Sequence, residues 1–66
     1  MKITVNGEPL EITGPIALPA LLAHLHIDPR RVAVEHNLAI VKKDRYDSTT
    51  VSDGDQIEIV NFVGGG

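Results

Sequence analysis

The chain has 66 residues, of which 42% are hydrophobic and 23% are charged, a composition typical of one small globular domain. It contains no cysteine, which excludes disulfides, thiolate metal sites and cysteine nucleophiles. Nine acidic and six basic residues give a net charge of -3, the wrong sign for a protein that binds nucleic-acid backbones. Because so short a chain has little material for a deep active site, we expect a protein that is not an enzyme.

The N-terminal segment predicts a β-hairpin. Asn6-Gly7 is the preferred dipeptide of a two-residue type I′ turn, and polar and apolar residues alternate on both sides of it. This turn sets a register in which Val5 faces Glu8, Ile3 faces Leu10, Lys2 faces Glu11 and Met1 faces Ile12. Pro9 then lies near the turn, where its missing N–H is tolerated if its strand is at the edge of the sheet.

Four leucines predict an amphipathic helix of two to three turns. They are spaced i, i+3, i+4 and i+7, and are Leu18, Leu21, Leu22 and Leu25. Pro19 fits the first turn of this helix, and Asp28-Pro29 marks a stop beyond its last turn. Ala17 stands where a capping Ser or Thr is common and cannot accept the capping hydrogen bond.

Further strands are predicted at 32–36, 40–41 and 56–62, the last after the turn Asp53-Gly54-Asp55, whose two aspartates we expect to serve that turn. The resulting order is β-β-α-β-β-β. It favours an α+β fold in which one helix packs across one face of a sheet. No run resembles a signal peptide or a membrane span, so we expect a cytoplasmic protein that binds no membrane.

Alternation along the last strand places Ile57 and Ile59 under the helix and turns Glu58, Val60 and Phe62 to the other face. We therefore expect Val60 and Phe62, continued by Val63, to form a docking surface for partner proteins.

Other polar groups receive simpler interpretations. The basic cluster at 42–45 is expected to be a solvated loop, and Tyr46 to cover the edge of the core with its hydroxyl at the surface. No group of side chains has the spacing of a metal site, and none is predicted.

The chain ends in three glycines, which predict a flexible tail at 64–66 after a domain at 1–63. Without a Cβ atom, Gly64 and Gly65 can pass through a narrow slot, and the extended segment spans on the order of 10 Å. A carboxylate is a poor acyl donor, so chemistry at Gly66 requires activation, for example to an acyl-adenylate, by a partner that uses ATP and magnesium. A sulfur nucleophile then gives a thiocarboxylate, and an amine gives an amide.

Several segments together resemble the ThiS family, the small sulfur carriers of thiamine biosynthesis. They are the Asn6-Gly7 hairpin, the leucine stripe, the stretch 27–35, the turn Ser52-Asp53-Gly54-Asp55 and the ending 59–66. The resemblance covers essentially the whole chain and implies a β-grasp, ubiquitin-like fold with about four to five strands. One departure is Leu38-Ala39, because a glycine is expected after His36-Asn37.

The same resemblance implies a reaction sequence at Gly66. An E1-like adenylyltransferase of the ThiF type adenylates it, a donor such as a cysteine desulfurase supplies the sulfur, and a thiazole synthase of the ThiG type receives it. The chain itself holds no permanent cofactor in this scheme.

Three alternatives remain open from the sequence. The chain could serve molybdopterin synthesis or tRNA thiolation, it could be a protein modifier joined to lysines through Gly66, or it could be a plain interaction domain with an incidental tail.

Overall fold

The computed structural model describes residues 1–62. The predicted tail at 64–66 and the docking residue Val63 lie outside the described residues. The elements are β1 (Lys2–Val5), β2 (Glu8–Glu11), β3 (Ile16–Ala17), α1 (Leu18–His24), β4 (Val32–His36), β5 (Ala39–Val41), β6 (Thr50–Val51) and β7 (Gln56–Asn61), with 3-10 helices at Pro29–Arg31 and Lys43–Ser48.

Five of the strands form one mixed sheet in the order β2-β1-β7-β4-β5. β1 and β7 run parallel, and the other neighbours are antiparallel. A separate pair joins β3 to β6, two strands that were not predicted because a strand of two residues is too short to show an alternating pattern. The expectation of one α-helix against one sheet is confirmed.

The N-terminal hairpin has the predicted register. Lys2 pairs with Glu11, Ile3 with Leu10, Thr4 with Pro9 and Val5 with Glu8. Asn6 and Gly7 have φ angles of 51° and 80°, as a type I′ turn requires. β2 lies at the edge of the sheet, so the absent N–H of Pro9 costs no ladder hydrogen bond.

The core lies between α1 and the sheet and is almost wholly aliphatic. Its buried members are Ile3, Leu18, Leu21, Leu22, Val32, Val34, Tyr46, Val51 and Ile57. The prediction of a surface hydroxyl for Tyr46 is wrong, because this side chain is only 5% exposed and its hydroxyl oxygen has no hydrogen-bond partner within residues 1–62. Burial raises the pKa of the phenol. The 3-10 helix that carries Tyr46 packs against α1 and brings the ring into the core.

Helix α1 begins and ends without the usual capping residues. Ala17 occupies the N-cap and makes no side-chain hydrogen bond, as its sequence predicts. At the other end His26 takes a left-handed conformation with φ of 59°. Its N–H donates to the carbonyl of Ala23, and the N–H of Ile27 donates to the carbonyl of Leu22, which together close a Schellman motif.

The turn between β4 and β5 keeps type I′ backbone angles without a glycine. His36 pairs with Ala39 across the turn, and Asn37 and Leu38 have φ angles of 52° and 73°. Leu38, which stands where a glycine is expected, therefore adds a side chain but leaves the backbone geometry of the turn unchanged. Leu38 holds a conformation that costs roughly 1–2 kcal/mol for a residue with a Cβ atom.

Candidate functional site

Two of the three predicted docking residues, Val60 on β7 and Phe62 directly after it, are exposed to solvent. Ile57 is buried and Ile59 packs against the core, whereas Val60 is 63% exposed and Phe62 is 48% exposed. The predicted alternation along this strand is confirmed. The third residue, Val63, and the predicted modification site at Gly66 fall outside the described residues.

The last described residue is held to the body of the protein by its backbone. The N–H of Phe62 donates to the carbonyl of Arg31 at 2.8 Å, one residue before β4. The 3-10 turn that contains Arg31 is itself capped by Asp28, whose carboxylate accepts the Arg30 backbone N–H at 2.9 Å. The Arg30 side chain donates to the same carboxylate, and these hydrogen bonds lower the pKa of Asp28 to about 2. A braced turn therefore fixes the backbone at Phe62, the last residue that the structure describes.

Lys43 braces the side of Phe62. Its ammonium donates to the carbonyl of Val32 at 2.8 Å and also to that of Pro29. The nitrogen lies 5.1 Å from the centre of the Tyr46 ring and 5.5 Å from the centre of the Phe62 ring, within the range of cation–π attraction. Lys43 is exposed, as expected for the basic cluster, but its segment is a 3-10 helix and not a loop, and its ammonium lies near both the core residue Tyr46 and Phe62.

Two further apolar side chains are exposed near the β5 edge of the sheet. Leu38 is 80% exposed and Ile40 is 75% exposed. Ile40 lies opposite Glu35 in the β4–β5 pair, so both are on the face of the sheet turned away from α1, whereas Val41 lies opposite buried Val34. The exposure of Ile40 was not predicted, although a hairpin register counted from the turn at 37–38 indicates it.

A polar cluster lies at the other end of β7. Nε2 of His36 is 2.7 Å from Oδ2 of Asp55, and this carboxylate also accepts hydrogen bonds from the Ser52 N–H at 2.8 Å and the Asn37 side chain at 3.2 Å. Burial of Asp55 opposes its ionisation, but the hydrogen bonds from His36, Ser52 and Asn37 outweigh it and lower the pKa of the carboxyl.

Neighbouring Asp53 accepts the Lys2 N–H at 2.8 Å. The prediction that these aspartates serve the turn is confirmed for Asp55, whereas the Asp53 side chain ties the turn to β1. The contact of His36 with Asp55 was not predicted.

Within residues 1–62, no group of three or more His, Asp or Glu side chains is arranged to hold a metal ion. In the same part of the chain, no helix has the length and apolar character needed to cross a membrane.

Comparisons with known proteins agree on one family. The family model of ThiS matches residues 3–66. The crystal structure of the thiamine biosynthesis protein ThiS from Geobacter metallireducens superimposes with a TM-score of 0.89, is 36% identical and is matched over 100% of both chains. The sulfur carrier protein ThiS of Bacillus subtilis is 48% identical over 46 residues, which are 70% of each chain.

Similar segments also occur inside longer proteins. A thiazole synthase of Paramagnetospirillum magneticum is 48% identical over all 66 residues, and one of Magnetococcus marinus is 44% identical. The chain spans only 20% of the length of each of these two relatives. The family model covers nearly all of this chain, and the Geobacter structure shares its topology. The chain therefore belongs to the ThiS family and has the β-grasp fold.

Proposed function

We propose that the chain is a sulfur carrier of thiamine biosynthesis that carries sulfur on the α-carboxylate of Gly66. The observation that supports this most is that the family match continues through residue 66 and so includes the three glycines. The name of the Bacillus relative as a sulfur carrier supports the same activity. The likeness to two thiazole synthases favours the thiamine pathway over molybdopterin synthesis or tRNA thiolation.

The chemistry needs two steps on the Gly66 carboxyl group. A carboxylate oxygen attacks the α-phosphorus of ATP, pyrophosphate leaves, and an acyl-adenylate forms. A sulfur nucleophile then attacks the carbonyl carbon and AMP leaves. If that sulfur is still bonded to its donor, a thiol reduces the S–S bond and a thiocarboxylate remains. ATP and magnesium belong to the ThiF-type adenylyltransferase, and the donor is a persulfide such as that of a cysteine desulfurase.

The body of the protein has the complementary task of docking. Val60 and Phe62 are exposed immediately before the tail, and the hydrogen bond from Phe62 to Arg31 ties that end of β7 to the fold. We assign to this surface the first contact with the adenylyltransferase and with the ThiG-type thiazole synthase. Gly64 and Gly65 then enter the active site of each partner, where a side chain would obstruct the passage.

An ATP–pyrophosphate exchange assay with the ThiF-type adenylyltransferase of the same genome tests the proposal. The unaltered chain should support exchange, whereas deletion of Gly66 should abolish it and Gly65→Val should reduce it by about tenfold or more, because a displaced carboxylate loses its alignment. Gly14→Ala is the matched control, since Gly14 has open space around the position of a Cβ atom. Absence of exchange with the unaltered chain would contradict the proposal.

The proposal also requires that Gly66 carries a free α-carboxylate in the cell. The intact mass of the protein isolated from its native organism tests this requirement directly. A mass that ends the chain at Gly66 supports it, and a mass that includes residues beyond Gly66 contradicts it.

A further inference from the structure

Two carboxylates face each other across the centre of the sheet. Glu35 on β4 pairs directly with Glu58 on β7. Their neighbours Val34 and Ile57 are buried, so alternation turns both glutamates to the face opposite α1. Side chains at such positions have Cβ atoms about 4.5–5.5 Å apart, and like charges there destabilise the sheet.

The fold does not neutralise this pair. The ion pairs formed within residues 1–62 use the carboxylates of Glu11, Asp28 and Asp55, and none of them includes Glu35 or Glu58. Lys42 follows β5 closely, yet it forms no ion pair with either glutamate in the part of the chain that the structure describes. Neither carboxylate therefore has an ion-pair partner among residues 1–62.

Exposed apolar side chains flank the two glutamates. Ile40 lies opposite Glu35 and is 75% exposed, while Val60 is two residues beyond Glu58 on β7 and is 63% exposed. We call these four residues the outer face. A partner that covers Ile40 and Val60 also removes water from around the glutamates, which strengthens any charge interaction made there.

We propose that the outer face binds the adenylyltransferase through an arginine or lysine side chain of that enzyme, which reaches between Glu35 and Glu58 while apolar side chains cover Ile40 and Val60. This inference rests on the proposed function. A guanidinium group offers several N–H donors in a planar fork and can bridge two carboxylates. Binding then replaces a repulsion in the free protein with two attractions in the complex.

The charge of the proposed reaction favours this enzyme as the occupant. An enzyme that joins a carboxylate to ATP must hold two anions together, which requires a cationic environment at its active site. A carrier with a net charge of -3 and an acidic outer face is attracted to such a site.

The test compares Glu35→Gln and Glu58→Gln with the control Glu8→Gln, which removes the same charge at the far edge of the sheet. Affinity for the ThiF-type adenylyltransferase is measured by calorimetry at low and high salt, and stability by urea unfolding. We expect either outer-face variant to bind about tenfold more weakly and with less salt dependence, yet to unfold at a higher urea concentration than the control. If Glu35 and Glu58 only supported the fold, their glutamine variants would lose stability and affinity together.

The outcomes separate this inference from the proposed function. Affinities equal to that of Glu8→Gln overturn the inference, even if the unaltered chain is adenylated. A loss of affinity confined to the thiazole synthase also overturns it, because the occupant would then be the synthase. If the unaltered chain binds the enzyme but is not adenylated, the proposed function is overturned. A loss of affinity in the glutamate variants then still supports the inference about the outer face.

Discussion

Nε2 of His36 lies 2.7 Å from Oδ2 of Asp55, and this contact joins the β4–β5 hairpin to the turn before β7. Backbone hydrogen bonds reinforce the junction, since the N–H of Asn37 donates to the carbonyl of Gln56 at 2.8 Å. The Asn37 side-chain oxygen accepts the Gln56 N–H at 2.8 Å in return. These contacts fix the start of β7. Just beyond its other end, the Phe62 N–H donates to the Arg31 carbonyl and the Lys43 ammonium lies near the Phe62 ring.

We predict that Asp55→Asn lowers the free energy of unfolding by about 1–3 kcal/mol at neutral pH, because the Ser52 N–H and His36 lose a charged acceptor. The folded state lowers the pKa of Asp55. Its stabilisation is therefore fully present above the ordinary aspartate pKa of about 3.9 and is lost as pH falls through the lower pKa of the folded state.

Urea unfolding of both proteins as a function of pH measures this effect. The stability difference should narrow in acid, while Asp47→Asn, at an exposed aspartate, should differ little from the unaltered chain throughout. A difference that stays constant down to about pH 2 would show that Asp55 acts through packing and not through its charge.

Leu38→Gly should stabilise the protein by about 1 kcal/mol. Leu38 has φ of 73° and is 80% exposed, so glycine relieves backbone strain while little apolar burial is lost. Thermal unfolding measures the change, and Leu38→Ala is the control because it removes the side chain but keeps the Cβ atom. Equal melting temperatures for the two variants would argue against strain at this turn.

Lys43→Met should destabilise the protein by about 1–2 kcal/mol, since two carbonyls lose their donor and two rings lose their cation. The neighbouring variant Lys42→Met changes the same charge without those contacts. Hydrogen exchange of the Phe62 amide gives a second readout, because we expect it to accelerate when Lys43 no longer steadies the ring. Equal stability of the two methionine variants would contradict the bracing role of Lys43.

Phe62→Ala should weaken binding to the adenylyltransferase by about tenfold or more while the circular dichroism spectrum stays unchanged, because an exposed aromatic residue beside the tail is a typical anchor of an interface. Phe62→Leu keeps an apolar side chain and should lose less affinity. Calorimetric titration measures both. Affinity that is unaffected by the alanine variant would remove Phe62 from the docking surface.

Local patterns allowed the main elements to be predicted from the sequence. The Asn6-Gly7 turn sets the hairpin register, the leucine spacing defines the buried face of α1, and alternation along β7 separates Ile57 from Val60. Each of these signals lies within a few neighbouring residues, where the period of a helix or strand decides which side chains are buried.

The missed features join residues that are far apart in the chain. His36 and Asp55 are 19 residues apart, and Lys43 reaches Pro29 across 14 residues, so no local period indicates either contact. Tyr46 was misplaced for the same reason, because its burial depends on how a 3-10 helix packs against α1. Leu38 shows a different limit: the turn keeps its geometry even though the residue preferred for it is absent.

Mass spectrometry of the chain after incubation with the adenylyltransferase, ATP, magnesium and a sulfur donor tests the sulfur-carrier proposal most directly. We predict a mass increase equal to the replacement of one oxygen by one sulfur, located by fragmentation at Gly66 and absent when ATP is omitted. A chain that is adenylated or bound by the enzyme yet keeps its original C-terminal oxygen atoms in the presence of a competent donor would contradict the proposal.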